Sequence, residues 1–371
     1  MSTIAKSIAF AVFSATLVPN LCFGTTYSVT DLGLVNPSWG ITRPTGINNG
    51  GQVIGDFRSP APHPRLYSGG TMLDMGMIGG FFQTGYANGI NNGGLVVGTT
   101  TSGHAFLYSG GTVHDLGLGS ANSINDAGDI VGSALFQDGS QLVGHAARFD
   151  VHGTDDADDL GTLPGYEGGS WAVAINGNGQ IIGTSAQPDP GGHAHAFLYD
   201  GGAMQDLGTL GGDNSYAYGL NNGGQIVGTS TATDGLYHAF VYSGGGMLDI
   251  GSLLGPDFES WAYGINNEGD IVGRYTGYNS QSGQSGPILY SGGALIDLNS
   301  LIVTPGYSLS EAIAINDAGQ IVGVGVSPTK AGVRTLLLTP VPEPSTFVLG
   351  MLAAAGCLLG IGRANHRSVS Q

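Results

Sequence analysis

Tyr27-Ser28-Val29-Thr30-Asp31-Leu32-Gly33 ends in an Asp-Leu-Gly triplet that returns at Asp115-Leu116-Gly117, Asp159-Leu160-Gly161 and Asp206-Leu207-Gly208. In those later places the triplet closes the fourth of four short apolar runs. The last such unit, which opens near Ala314, has only three runs and stops after 333–339. A strand missing from the last unit and present alone before the first is what a ring closed by its own N-terminus requires. Closure removes the unpaired sheet edges that an open array would expose.

Working outward, seven segments align: GINNGGQVIG at Gly46, GINNGGLVVG at Gly89, SINDAGDIVG at Ser123, AINGNGQIIG at Ala174, GLNNGGQIVG at Gly219, GINNEGDIVG at Gly264 and AINDAGQIVG at Ala314. Their asparagines are 34 to 51 residues apart, a period that fits propeller blades. The fourth copy reads most clearly, with strand a over 171–175, strand b over 180–185, strand c over 195–199 and strand d over 203–210. Asn176-Gly177-Asn178-Gly179 joins a to b as a tight turn whose last glycine suits positive φ. Strand b ends in glycine in all seven copies, Gly55 through Gly323, which implies a close backbone approach. Small residues two and four places before the asparagine, such as Ala172 and Ala174, suit strands crowded around an axis. The expected fold is all-β, a seven-bladed β-propeller of four-stranded antiparallel blades. A parallel β-helix would instead give shorter periods, capped ends and no displaced strand.

The ends have their own organisation. Lys6, an apolar run over 8–18 and small Gly24 form a secretory leader, residues 1–24. The propeller then occupies 25–340. From 341 to 371 comes a tail: Val341-Pro342-Glu343-Pro344-Ser345-Thr346, an apolar run over 347–361 expected as a short membrane helix, then Arg363 and Arg367. The basic end is expected on the cytoplasmic side. Both cysteines, Cys22 and Cys357, fall outside the body, so it is held by packing and hydrogen bonds without disulfides. The formal net charge is −17 and only 10% of residues are charged. Such a body repels phosphate backbones and excludes nucleic acid as a partner.

The tail, with its Pro342-Glu343-Pro344 motif, resembles the PEP-CTERM sorting signal of Gram-negative bacteria. That resemblance implies processing by an exosortase-type membrane enzyme, in organisms that make extracellular polysaccharide and biofilm. His104-Ala105-Phe106-Leu107-Tyr108, His195-Ala196-Phe197-Leu198-Tyr199 and His238-Ala239-Phe240-Val241-Tyr242 resemble the HAF family of extracellular repeats. Copies depart from it at Pro64-Arg65-Leu66-Tyr67, His145-Ala146-Ala147-Arg148-Phe149 and Pro287-Ile288-Leu289-Tyr290.

The repeated histidines and the strand d aspartates (Asp31, Asp74, Asp115, Asp159, Asp206, Asp249, Asp297) recur by symmetry. Catalysis needs one asymmetric constellation, so these read as locks between strands. Asp150, Asp155, Asp156, Asp158 and Asp159 offer oxygen ligands for Ca²⁺ but lack the spacing of a defined calcium loop. Aromatics are the more suggestive feature. Tyr86, Trp171, Tyr216 and Trp261 stand five places before their asparagines, and Tyr218 and Tyr263 two places further on. They fall on the face that carries the long b–c loops, such as 186–194 and 276–286, and flat rings there suit sugar faces or partner side chains. The expected function is therefore non-enzymatic binding of polysaccharide or a surface protein. The alternative is an enzyme acting on extracellular polysaccharide, with Glu311 and Arg43, which take the aromatic position in blades seven and one.

Overall fold

Asn48-Asn49-Gly50-Gly51 shows why each repeat opens as a hairpin. Gly51 has φ 73° and donates its N–H to the Asn48 carbonyl at 3.0 Å. The Asn48 Oδ1 then accepts the N–H of Gln52 at 2.9 Å. The left-handed glycine recurs at Gly94, Gly128, Gly179, Gly224, Gly269 and Gly319, a conformation that side-chain-bearing residues adopt only at a cost. The c–d turns use a second device, two successive positive-φ glycines such as Gly201 and Gly202, which match the twist of the flanking strands.

The computed structural model describes residues 25–34, 43–58, 62–75, 84–138, 141–150, 157–188, 192–278 and 283–342. Seven four-stranded antiparallel sheets follow in chain order. Blade four is Gly169–Ile175, Ile181–Ala186, Ala194–Asp200 and Ala203–Asp206. Its fourth strand is shorter than the expected 203–210. Asp206 accepts the N–H of Gly208 at 2.7 Å and Gly208 takes φ 75°, so the chain turns away there. Blade seven combines Ser308–Ile315, Ile321–Val326 and Val333–Val341 with Thr26–Leu34 as its outer strand. The ring is thus closed by the N-terminal strand, as its sequence implied. Tyr27–Thr339 forms one unit that contains every buried apolar cluster. The expected leader, residues 1–24, and the expected tail helix over 347–361 lie outside the described residues, as do Glu343 and Pro344.

Strand a of each blade touches strand a of both neighbours, so these seven strands surround the axis. Side chains four places before the asparagine are fully buried alanines in six blades, Ala87 through Ala312. Each strand a also carries a β-bulge one residue later, at Thr45, Asn88, Asn122, Val173, Tyr218, Tyr263 and Ile313. A bulge re-aims the residue at its crest. In blades one to three that residue bonds the next blade: Thr45 Oγ1 to Ala87 O, Asn88 Nδ2 to Ala121 O, and Asn122 Nδ2 to Ala172 O.

The repeated asparagine does more than cap its turn. Its Nδ2 donates to the main-chain carbonyl of the next asparagine, in the order Asn48, Asn91, Asn125, Asn176, Asn221, Asn266, Asn316 and back to Asn48, over 2.9 to 3.3 Å. All seven are buried, so each bond is sheltered from water. Substituting Asn221 by alanine orphans the Gln225 N–H and removes one of the two donors to the Asn266 carbonyl, which keeps the Gly269 N–H. An unmet buried group costs about 1–3 kcal/mol and a lost hydrogen bond about 0.5–1.5 kcal/mol, so urea unfolding should show a loss of roughly 2–4 kcal/mol. A loss under about 1 kcal/mol would mean the ring of amides is incidental.

Candidate functional site

The two faces differ in what they leave available. On the tight-turn face, the residues after the asparagines bond one another. Asn49, Asn92, Asn222 and Asn267 each donate a main-chain N–H to the equivalent side chain of the next blade, at 2.8 to 2.9 Å. On the other face, the d–a crossings lie beside the b–c loops, joined by bonds such as Gly168 N–H to Ala186 O and Tyr278 N–H to Asp257 O. Side chains there depart from the repeat consensus.

The departures gather in one sector. Tyr216 and Tyr218 come from strand a of blade five, Gly211–Leu220. Trp261 and Tyr263 come from strand a of blade six, Phe258–Ile265, and Arg274 from its strand b, Ile271–Gly277. Tyr237 opens strand c of blade five, Tyr237–Ser243, and its ring lies 6.4 Å from Trp261 at 29° and 6.5 Å from Tyr216. Tyr218 and Tyr263 are 5.6 Å apart. The Arg274 guanidinium sits 4.4 Å from the centre of the Trp261 ring and shares a hydrogen bond with Tyr263. Beyond them Arg43 Nη2 donates to both carboxylate oxygens of Glu311, at 2.8 and 2.7 Å, across the seam between blades seven and one. Of the four aromatics singled out from sequence, the structure brings Tyr216 and Trp261 together. Tyr86 belongs to blade two and Trp171 to blade four, and neither enters this stack among the described residues. Tyr237 and Arg274 are members that the sequence did not announce.

Burial pushes the Tyr218 phenol up to about 12, with Tyr263 adding to the effect. Burial likewise raises Tyr216 and Tyr263. These hydroxyls are therefore neutral at physiological pH and serve as hydrogen-bond donors and acceptors.

The His and Asp positions resolve into one structural device. His63, His104, His145, His195 and His238 on strand c bring Nδ1 to within 2.8 to 3.4 Å of Asp74, Asp115, Asp159, Asp206 and Asp249 on strand d. Blade seven places Arg334 there, with Nε donating to Asp31 at 2.6 Å. Blade six has Gly286 instead, and the Tyr275 ring stands over it. With no cation opposite, burial raises the Asp297 carboxyl above its ordinary value. Strand c thus carries its partner for strand d in six blades, which the sequence obscured by setting proline after His63 and arginine for histidine in blade seven.

The His238 imidazole is raised above its ordinary value, because its hydrogen bond to Asp249 outweighs the opposing pull of burial. Asp249 is held low, since bonds from His238 and the Ser252 N–H outweigh its own burial. A raised histidine stabilises below about pH 6.5 and loses that contribution as pH rises through its folded value. A lowered aspartate contributes above about pH 3.9 and loses it on acidification. The melting-temperature gap between the wild type and His238→Leu should therefore be wider at pH 5.5 than at pH 8.5. An equal or wider gap at pH 8.5 would contradict this pairing.

Asp155 and Asp156 lie outside the described residues, and Asp159 is engaged by His145. No group of three His, Cys, Asp or Glu placed to hold a metal occurs among the described residues. A cavity of about 10 Å³ between blades seven and one, lined by Leu32, Val53, Ile54, Tyr67 and Met72, has room for roughly one water. It is a packing gap distant in character from the aromatic sector.

Residues 340–367 match the PEP-CTERM protein-sorting motif. That motif marks an exported protein on a membrane-transiting sorting route and is generally recognised by an exosortase. No curated protein matches the chain. Among solved structures the chain is similar to a puromycin-hydrolyzing peptidase of Mycobacterium tuberculosis, at 12% identity over 86% of this chain and 56% of that one, with a TM-score of 0.53. It is also similar to YCF48 bound to D1 peptide, at 10% identity over 88% of this chain and 100% of that one, with a TM-score of 0.47. The chain thus spans little more than half of the peptidase's length, and identities this low speak to architecture alone. What geometry and comparison establish together is a seven-bladed β-propeller that carries a PEP-CTERM sorting motif.

Proposed function

We propose that this is an exported, non-enzymatic propeller of the cell surface or extracellular matrix that binds polysaccharide through the aromatic sector of blades five and six. The HAF resemblance of the repeats fits an extracellular role of this kind. The observation that carries the reading is the stack of Tyr216, Tyr237 and Trp261 on neighbouring strands of the loop-rich face. Flat, partly exposed rings offer stacking surfaces to sugar faces, while Tyr218 and Tyr263 supply neutral hydrogen-bonding groups. The site's chemistry favours binding over turnover. Both oxygens of Glu311 accept hydrogen bonds from Arg43, so this carboxylate is engaged in an ion pair and does not stand free as one of the two that glycoside hydrolysis uses.

Residues 25–340, prepared as a unit and passed over immobilised exopolysaccharide of the producing organism, should be retained. Trp261→Ala should weaken retention about tenfold or more, roughly 1.4 kcal/mol, whereas Trp171→Ala should leave it within about twofold. Equal effects of the two substitutions, or no retention of the wild type, would refute the reading.

A further inference from the structure

Arg274 is out of place by ordinary electrostatic bookkeeping. Half-buried charges are normally paired with an opposite charge, because burial removes the water that stabilises them. Most cations of this acidic body obey: Arg43 meets Glu311, Arg65 meets Asp74, and Arg334 and Lys330 meet Asp31. Arg274 has no carboxylate within salt-bridge distance among the described residues. It lies over the Trp261 ring, its hydrogen-bond partner is the neutral Tyr263, and its Nε is buried without a partner. The equivalent position elsewhere holds Asp56, Thr99, Ser133, Thr184, Thr229 and Val324, so the guanidinium is a property of this blade and not of the repeat.

We propose that the sugar held at this sector is acidic, a pyranose bearing one carboxylate, with the ring face on Trp261 and Tyr237 and the carboxylate on Arg274. This deepens the binding reading above and rests on it. The planar fork of a guanidinium matches a carboxylate with two parallel hydrogen bonds. Stacking on Trp261 holds that plane fixed, so little side-chain freedom is lost when the ligand arrives. The net charge of −17 sharpens the selection. Densely charged polymers are repelled at long range, while a single carboxylate on a mostly neutral glycan meets its partner within a screening length of about 8–10 Å.

The experiment is calorimetric titration of residues 25–340 with a disaccharide ending in glucuronic acid and with its glucose counterpart. At low salt the acidic sugar should bind at least about tenfold more tightly, a preference that shrinks as salt rises. Arg274→Gln should abolish the preference, bringing the affinities of the two sugars within about twofold of each other, and Arg274→Lys should retain part of it. Circular dichroism verifies that both variants fold, and if Arg274→Gln does not, Arg274→Lys and the salt dependence carry the decision. Equal or tighter binding of the neutral sugar, or an acidic preference that survives Arg274→Gln, overturns this inference and leaves the glycan reading standing. Absence of binding by either sugar, with matrix polysaccharide also unretained, overturns both.

Discussion

Gly183→Ala should lower the melting temperature by roughly 5–10 °C, although it adds one methyl group. Gly183 has ordinary strand backbone, so the cost is purely steric. A Cβ there would be driven into the Trp171 carbonyl and would meet Phe197 Cε1 at 2.7 Å. Neither neighbour has room to retreat, since Phe197 is fully buried and the carbonyl belongs to the paired inner strand. The same collision with strand a awaits at Gly55, Gly98, Gly132, Gly228, Gly273 and Gly323. Overpacking costs about 1–3 kcal/mol and sometimes more, and in a domain this large each kcal/mol moves the midpoint by about 2–4 °C. Differential scanning fluorimetry checks it. An unchanged midpoint would mean that strands a and b can separate locally, against the packing described here.

Arg334→Met should cost about 3–5 kcal/mol, the usual penalty for breaking one side of a buried ion pair. The Arg334 and Asp31 side chains are 3% and 8% exposed and join strands 303 residues apart. Loss of the guanidinium leaves Asp31 with the Gly33 N–H and the more distant Lys330 amine at 3.7 Å. This pair is the blade-seven form of the histidine–aspartate lock, and it adds a buried ionic tie to the N-terminal strand that closes the ring, beside the bonds from Val29 N–H to Thr304 and from Ser28 Oγ to the Thr339 carbonyl. Damage should therefore spread along the seam. Hydrogen exchange should accelerate first in Thr26–Leu34 and Val333–Val341. The double variant Asp31→Leu with Arg334→Met should recover much of the lost stability, since an apolar pair carries no stranded charge. If the double variant is as unstable as the single one, charge pairing is not what secures the closure.

Architecture was legible because it is written seven times. The asparagine turns, the crowded glycines and the displaced Asp-Leu-Gly strand each have a local cause that reads directly from the chain. Contacts between blades were less so. The amide of Asn48 reaches the carbonyl of Asn91, 43 residues away, and no local pattern distinguishes that bond from the turn cap that the same side chain also makes. The candidate site was half visible for a related reason. Tyr216, Trp261, Tyr218 and Tyr263 stood at equivalent repeat positions, as did Arg43 and Glu311. Tyr237 and Arg274 come from strand c of one blade and strand b of the next, and only the packing of blades five and six brings them to the same rings. Tyr86 and Trp171 share the sequence position but, among the described residues, do not join this stack. Symmetry thus told which residues build the scaffold, and the breaks in symmetry told where to look for function.

The most direct measurement is a crystal structure of residues 25–340 grown with oligosaccharides released from the producing organism's matrix. The expected result is a sugar ring stacked on Trp261 and Tyr237, with its polar edge toward Tyr263 and Arg274. A sugar seated on the tight-turn face or against Tyr86, or binding in solution with no sugar at blades five and six in the crystal, would contradict it.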